Sequence, residues 1–348
     1  MRTISPDELR RWAKKSAIAV ASVVVVVAVA LVWLWRDRAS LDAIDWAPYP
    51  YIEPSLDAVT MTWLGVTTLL FDDGETQILI DGFFSRPPLG DALFGRPVDS
   101  NAVTINYVLD EYRIRRLAAI IPVHSHYDHA MDIGAIANRS SASILGSTTT
   151  AQIARGAGVP DDQIVIAEDG GSYSFGQFAV TMIESPHAPI GWGGSVPLAG
   201  TIDEPLSTPA PISAWREGQS YSIVVAHPHG TTLVHGSGGF SADRLNGIKA
   251  DVVMLGVALL EGLGRDYVQQ YWHALVTTTG AKHVFPIHFD DYTQPFGDIV
   301  LYPRALDDFI ETAGWLEEIR STWDSDARLH LPEFGKPIVL YPQTSPEA

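Results

Sequence analysis

The sequence contains no cysteine. That excludes a disulfide-stapled scaffold, thiolate metal ligands, a cysteine nucleophile and lipid attachment through sulfur. Positive charge is also scarce: 23 Lys and Arg stand against 41 Asp and Glu, a net charge of -18. Seven of those basic residues and three of the acidic ones fall in Met1–Arg38, so Ala39–Ala348 carries 16 against 38, a net -22. A surface that acidic repels phosphate backbones and argues against nucleic acid as a partner. The phosphate-cradling patterns G-x-x-x-x-G-K-[ST] and G-x-G-x-x-G are missing. So is the G-x-S-x-G elbow of serine hydrolases, to which His235-Gly236-Ser237-Gly238-Gly239 is only superficially similar.

One long apolar run is present. Ser16–Trp35 is twenty residues without a charge. At 1.5 Å per residue it spans ~30 Å, the hydrocarbon thickness of a bilayer. Trp33 and Trp35 stand at one end, where interfacial aromatics belong. Arg2, Arg10, Arg11, Lys14 and Lys15 precede the run, whereas only Arg36 and Arg38 follow closely. The positive-inside rule then puts the N-terminus in the cytoplasm and the rest of the chain outside, in a periplasm or at the cell surface. Cleavage as a signal peptide after Ala28-Val29-Ala30 is the alternative, but it would leave Leu31–Trp35 exposed on the mature protein. The sequence therefore divides into a cytoplasmic stub and membrane anchor (1–38), a Pro-bearing connector (39–57) and a folded domain (58–348).

Within that domain short apolar runs alternate with Gly and Asp turns. Val59–Leu64, Thr67–Phe71, Gln77–Ile80, Leu117–Val123, Ser143–Leu145, Ile164–Ala167 and Phe178–Ile183 read as strands, the last two around a Gly170-Gly171 turn. Val103–Tyr112, Ile133–Ala137 and Thr148–Ala154 read as helices. The second half repeats this alternation, with Ser222–Ala226 and Thr232–His235 as a hairpin, strands at Val252–Leu255, His283–Ile287 and Ile338–Tyr341, and helices at Asp266–Thr279 and Leu306–Glu318. Strands, then strand–helix alternation, twice over, predict an α+β fold of two β-rich layers, each covered by helices on one side. Ala188–Gly218, rich in Gly, Pro and Ser, is a long irregular loop. Its apolar residues Ile190, Trp192, Val196, Leu198, Leu206, Ile212 and Trp215 suit either a lid over a greasy substrate or simple packing onto the body.

The chemistry concentrates in His124-Ser-His126-Tyr-Asp128-His129, directly after the strand Leu117–Val123. Residues two apart on a strand point the same way, so His124 and His126 share a side. Asp128 and His129 follow at the turn into a helix, and the two pairs can face two neighbouring metal positions. Imidazole and carboxylate without thiolate suit Zn, with Fe or Mn as alternatives.

The H-x-H-x-D-H motif resembles the hallmark of the metallo-β-lactamase superfamily, and the resemblance extends over about Val59–Gly297. It implies a four-layer αββα sandwich with a metal site at one edge. It further implies that His124, His126 and His187 hold a first metal and Asp128, His129 and His288 a second, with Asp81 buttressing the site from behind. One motif departs. Many dinuclear members carry Gly-Asp after the strand TTLVH, and that Asp bridges the metals; this chain has Gly236-Ser237. With six other ligands in place the expectation is two zinc ions bridged by hydroxide alone, with a mononuclear site as the alternative. His235, Ser237 and Asp290 are expected as supporting residues around the ligands. Metal-bound water, acidified to a pKa of ~7, would attack a carbonyl or phosphoryl centre. Asp128 would both ligate and orient it, and Tyr127, Asp290, Asp291 and Glu261 are candidates for acid or orienting roles.

The implied activity is hydrolysis of an ester, lactone, phosphodiester or phospholipid-type substrate, a small molecule or a lipid; no protein partner is indicated. Rival readings are a non-catalytic binding protein, an iron-dependent oxidoreductase of the same fold and a β-lactamase-type amide hydrolase. The remaining histidines, His227 and His229 in an exposed hairpin turn, His273, His283 and His330, carry no metal expectation.

Overall fold

Pro6–Arg36 forms one helix, α1, in the computed structural model, which describes residues 5–55 and 57–341. Its start is fixed by a capping box: the Ser5 hydroxyl accepts from the Glu8 amide while the Glu8 carboxylate accepts from the Ser5 amide. Within it Lys14–Arg36 is 23 residues long, with mean hydropathy 2.9 in its most apolar stretch and nothing buried against the domain.

Beyond α1 the fold is built on two seven-stranded sheets. The first contains β1 (Thr60–Trp63), β2 (Leu69–Asp72), β3 (Gln77–Ile80), β4 (Leu117–Ile121), β5 (Ser143–Gly146), β6 (Ile164–Ile166) and the chain's last strand, β14 (Pro337–Val339), in the order β14-β1-β2-β3-β4-β5-β6. The second contains β7 (Gly171–Phe175), β8 (Phe178–Ser185), β9 (Ser220–His227), β10 (Gly230–His235), β11 (Val252–Gly256), β12 (His283–Ile287) and β13 (Arg328–Leu329), in the order β13-β12-β11-β10-β9-β8-β7. Helices α2 (Leu89–Leu93), α3 (Ala102–Glu111), α4 (Tyr127–Ala130), α5 (Ile133–Ser140) and α6 (Thr148–Gly156) belong to the first half, α7 (Arg265–Trp272) and α8 (Phe309–Trp323) to the second.

Period-2 alternation decides which face goes where. On β3, Ile78 and Ile80 point between the sheets, whereas Leu79 points outward to Ile105 and Val108 of α3 and Ile133 and Ile136 of α5. On β4, Ile121 goes inward and Ile120 outward. The β11 run Val-Val-Met-Leu has no polar face because both sides are covered, by the first sheet and by α7 and α8. The result is helix, sheet, sheet, helix: the αββα sandwich of the metallo-β-lactamase fold.

Several boundaries differ from the sequence reading. The Gly170-Gly171 turn leads into β7, and the hairpin to β8 turns instead at Gly176, with φ +59°. β7 is polar (Gly-Ser-Tyr-Ser-Phe) because it is an edge strand, which removes the alternation that would have marked it. The final helix begins at Phe309, where the Asp308 carboxylate accepts from the Ile310 amide. Asp266–Thr279 is helical but contains a π-turn at His273–Thr277. Two histidines are less exposed than expected: His227 is buried beside Asp73 and Phe178, and His330 is buried against His283.

β3 and β4 run parallel, as do β10, β11 and β12, and β8 runs the same way as β10 through the antiparallel β9. Their C-terminal ends therefore open onto one edge, which receives the loops after β3, β4, β8, β10, β11 and β12. The stretch 39–49 packs along the domain: the Tyr49 hydroxyl donates to the Val339 and Leu340 carbonyls, and its ring lies 5.2 Å from those of His283 and Phe285. Truncating Tyr49 to Ala removes a half-buried aromatic and should cost ~2 kcal/mol, whereas Tyr49→Phe, which loses only the hydrogen bonds, should cost ~1. Thermal unfolding of the detergent-solubilised chain checks this ranking.

Candidate metal centre

Six side chains from three loops meet at that edge. The loop after β4 supplies His124, His126, Asp128 and His129; the loop after β8 supplies His187; the residue after β12 is His288. They fall into two groups, His124–His126–His187 and Asp128–His129–His288, and in each the potential ligand atoms lie within 4.8 Å of one another. The groups adjoin, with the His124 and His129 ring centres 4.0 Å apart. All six residues are buried.

The hydrogen bonds behind these rings decide where their protons sit. His126 Nε2 is 2.9 Å from the Pro197 carbonyl and His187 Nδ1 is 2.9 Å from the Ala188 carbonyl. A carbonyl only accepts, so each of those nitrogens carries the proton. His129 Nδ1 faces the Asp81 carboxylate at 2.7 Å and is protonated for the same reason. At His126 and His187 the opposite nitrogen is left as a lone pair, and at His129 the opposite nitrogen faces Asp128. His124 Nε2 lies 2.9 Å from His126 Nδ1, and the Asp128 carboxylate approaches His129 Nε2 and His288 Nε2 at 3.5 Å each. Converging lone pairs and a carboxylate, buried together, call for a cation. Among the described residues His124 Nδ1 and His288 Nδ1 have no hydrogen-bond partner. The donor set fits a pair of divalent metal ions.

Electrostatics agree. Burial brings His126 and His187 down to about 4, and burial together with its histidine neighbours holds His124 well below the usual imidazole value. They stay neutral at pH 7, the form that ligates. Burial opposes ionisation of Asp128, but His129 and His288 hold its carboxyl well below the usual range. His129 goes the other way: burial lowers it, and Asp128 and Asp81 together raise it.

Behind the ligands, Asp81 (φ +57°) accepts from the Val123 amide at 2.8 Å and from the Thr67 hydroxyl. Asp290 is also in a supporting position. It accepts from the Val66 amide at 2.7 Å and pairs with buried Arg86 at 3.1 Å; the Val66 carbonyl in turn accepts from the His288 amide at 2.9 Å, fixing His288 at φ +64°. A Cβ on Gly65 would sit 2.1 Å from the Arg86 guanidinium, so this turn takes glycine. Ser237 lines the cavity, and its carbonyl accepts from the Ala188 amide behind His187. His235 belongs to neither group; its Nδ1 pairs with the Ser222 hydroxyl at 2.8 Å, in the core. Asp291 pairs with Arg38 at 2.7 Å, and Glu261 lies on a short turn after β11, outside the cavity lining.

The donors open into a cavity of ≈ 230 Å³. Tyr127 lines it, joined by Tyr292 and Tyr302, which the sequence reading missed. The three rings stack edge to face in series, at 5.9 and 5.8 Å. Burial pushes all three hydroxyls up, so they remain protonated donors. The spacing HFDDY, four residues from ligand to tyrosine, was the available signal for Tyr292. Ile190, Pro197, Leu198, Ala258 and Leu259 complete the wall. Of the long loop, then, Ile190 and Leu198 roof the cavity, Leu206, Ile212 and Trp215 pack onto the first sheet's outer core, and Trp192 faces solvent. A larger groove of ≈ 670 Å³ lies between the connector and α8, with no histidine in its lining.

No protein-family model matches the chain. Over 130 residues it is 28% identical to a UPF0173 metal-dependent hydrolase of Roseiflexus sp., a match covering 37% of this chain and 48% of that one. The chain thus spans about half the length of that curated relative. A UPF0173 metal-dependent hydrolase of Heliobacterium modesticaldum is 23% identical over 255 residues, 72% of this chain and 91% of the relative. Among solved structures, a possible metal-dependent hydrolase from Veillonella parvula superposes with TM-score 0.50 at 16% identity, covering 81% of this chain and all of the other. CmlA, a diiron β-hydroxylase from Streptomyces venezuelae, gives TM-score 0.51 at 13% identity, covering 83% and 55%. These likenesses support the metallo-β-lactamase fold for this chain and relate it to metal-dependent hydrolases.

The supporting residues can be tested at two positions. Asp81→Asn leaves His129 without its anionic partner and should weaken metal binding ~10- to 100-fold in a chelator competition titration. Asp307 is buried, accepts from the Leu259 amide at 2.9 Å, and is pushed up to about 7 by that burial, with Glu261 and Asp308 adding to it. Its folded pKa lies above the unfolded ~3.9, so the wild type loses stability as pH rises from ~4 through ~7. Asp307→Asn keeps the acceptor without the charge and should raise Tm at pH 8 by a few degrees, a gain that vanishes at pH 5.

Proposed function

We propose that the chain is a membrane-anchored, metal-dependent hydrolase, most simply a dinuclear zinc enzyme. The reading rests on one observation: two buried groups, His124–His126–His187 and Asp128–His129–His288, bring their potential ligand atoms together at a common cavity. His124, His126 and His187 would hold one ion and Asp128, His129 and His288 the other. Bound there, the ions supply Lewis acidity and acidify water at neutral pH. Ser237 in place of a bridging carboxylate leaves the space between the groups to water or substrate.

The chain's own residues set the rest. The Pro197 and Ala188 carbonyls lock the tautomers of His126 and His187, so no proton must move before their ligand nitrogens are available, and Asp81 holds the Nδ1 proton of His129. Asp128 stays ionised in its buried place. Tyr127, Tyr292 and Tyr302 present hydroxyl donors to an oxygen that gains negative charge or to a departing one, in a cavity whose other walls are apolar apart from Ser237. Such a site suits an ester, lactone, phosphodiester or phospholipid-type substrate. The folded domain (58–348) would be carried by the anchor (1–38) through the connector (39–57), and the basic residues before the apolar run Ser16–Trp35 favour an extracytoplasmic domain.

Elemental analysis of the full chain, purified in detergent without chelator or added metal, should give about two zinc per chain. His187→Ala and His288→Ala should each lower that stoichiometry. Both should also abolish turnover in a screen of p-nitrophenyl esters, lactones and phosphodiesters. Iron as the native metal would redirect the reading to oxidative chemistry; failure to bind any metal on titration would leave a binding protein.

A further inference from the structure

Arg38 stands two residues beyond the end of α1 and is fixed to the loop after β12. It forms a β-bridge with Pro303, its guanidinium donates to the Leu301 carbonyl and pairs with Asp291, and the Arg304 amide donates to the Asp37 carbonyl at 2.8 Å. That same loop carries Tyr302 into the cavity. The apolar helix therefore joins the domain with no slack, at the edge where the metal centre opens.

Large apolar side chains stand uncovered on this edge. Leu93 and Phe94 end α2, Trp192 is 99% exposed in the loop after β8, and Val300 and Leu306 flank Tyr302. Exposed hydrophobics scattered singly are ordinary on any protein. These five instead belong to loops that follow β3, β8 and β12, whose ends share one direction, and the last of these loops, with Val300 and Leu306, is the one to which the end of α1 is tied. Cations accompany them in a domain that is otherwise acidic: Arg96 lies 5.6 Å over the Phe94 ring, and Arg36 and Arg38 close α1. Aromatic and aliphatic side chains mixed with arginine suit a layer of lipid headgroups.

We propose that the site-bearing edge is a membrane-docking surface and that the cavity takes a membrane-resident amphiphile from the bilayer. Phe94, Trp192 and Leu306 enter the headgroup layer, and the apolar roof of Ile190, Pro197 and Leu198, in the same loop as Trp192, guides the substrate's reactive group to the metals. The proposal rests on the anchor and hydrolase readings above and adds to them the orientation of the domain and the class of substrate.

The absence of cysteine makes the test direct, because any introduced cysteine is unique. Phe94→Cys, Trp192→Cys and Leu306→Cys, with Glu75→Cys and Trp323→Cys as controls at the opposite edge, are labelled with the fluorophore NBD. Each full-length variant is reconstituted in phosphatidylcholine vesicles. The three site-edge probes should shift to the blue, be quenched by nitroxide-labelled lipid and be shielded from iodide; the two controls should behave in the opposite way. If the chain resists extraction by alkaline carbonate while all five probes are open to iodide, docking is overturned and the anchor stands. Release of the chain by carbonate overturns the anchor and the docking together. Metal content measured on the same samples reports on the hydrolase reading separately.

Discussion

The structure is organised around a constraint on protons. Three imidazoles each give an N–H to a fixed acceptor, the carbonyls of Pro197 and Ala188 and the carboxylate of Asp81, and so turn their other nitrogen inward. Ring nitrogens and a carboxylate that converge away from water suit a cation at their centre. Everything behind the ligands serves to hold it. Asp81 needs the Thr67 hydroxyl and the Val123 amide to stay in place, and His288 needs the Val66 carbonyl, which Asp290 and Arg86 secure in turn. Two of these residues, Asp81 and His288, have left-handed backbone, a local strain that the packed sheets around them must balance.

What the sequence made legible follows from range. The H-x-H-x-D-H cluster is local, six residues on one strand end, and could be seen without a fold. The strands of the two inner layers were readable because burial on one or both faces writes period-2 or all-apolar runs. His187 and His288 carry no local mark; they entered only through resemblance to a family, and the sandwich brings them beside the cluster from loops 58 and 159 residues after His129. Tyr292 and Tyr302 stayed hidden for the same reason. A tyrosine near an Asp-rich turn has no sequence signature until the fold closes it over a cavity. The polar edge strand β7 was invisible because one exposed side and one unpaired edge leave no apolar pattern to detect. The buried His330 was hidden by its position in the chain, near the end, where a tail is the usual expectation; packing against His283 and the Ala47 carbonyl overrides it.

The long loop shows how one segment divides its work. A composition of Gly, Pro and Ser suggested either a lid or packing; along its length the loop first lines the cavity and then packs onto the body. Its first part, at Ile190, Pro197 and Leu198, faces the cavity, and the Pro197 carbonyl also sets the tautomer of His126. Its second part, at Leu206, Ile212 and Trp215, is pinned to the outer core of the first sheet. Roof and ligand geometry are therefore coupled: a displacement of the roof that carried Pro197 away would free the proton on His126 Nε2 and unsettle a metal-facing nitrogen. Access to the cavity and integrity of the metal centre are set by the same few residues.

A second coupling reaches from the centre to the N-terminal helix. The loop after β12 begins with a donor, His288, continues through Asp290 and Asp291, and returns with Tyr302 before it meets Asp37 and Arg38. A helix tied this closely cannot swing freely against the domain, because Arg38 would have to leave a carboxylate, a carbonyl and a β-bridge at once. The tilt of α1 in a bilayer would then fix how far the cavity stands from the headgroups. An enzyme of soluble substrates gains nothing from that restriction, and a long flexible linker would serve it as well. A short rigid junction beside the site makes sense when the substrate arrives laterally, within the membrane, and must meet the donors at a set height.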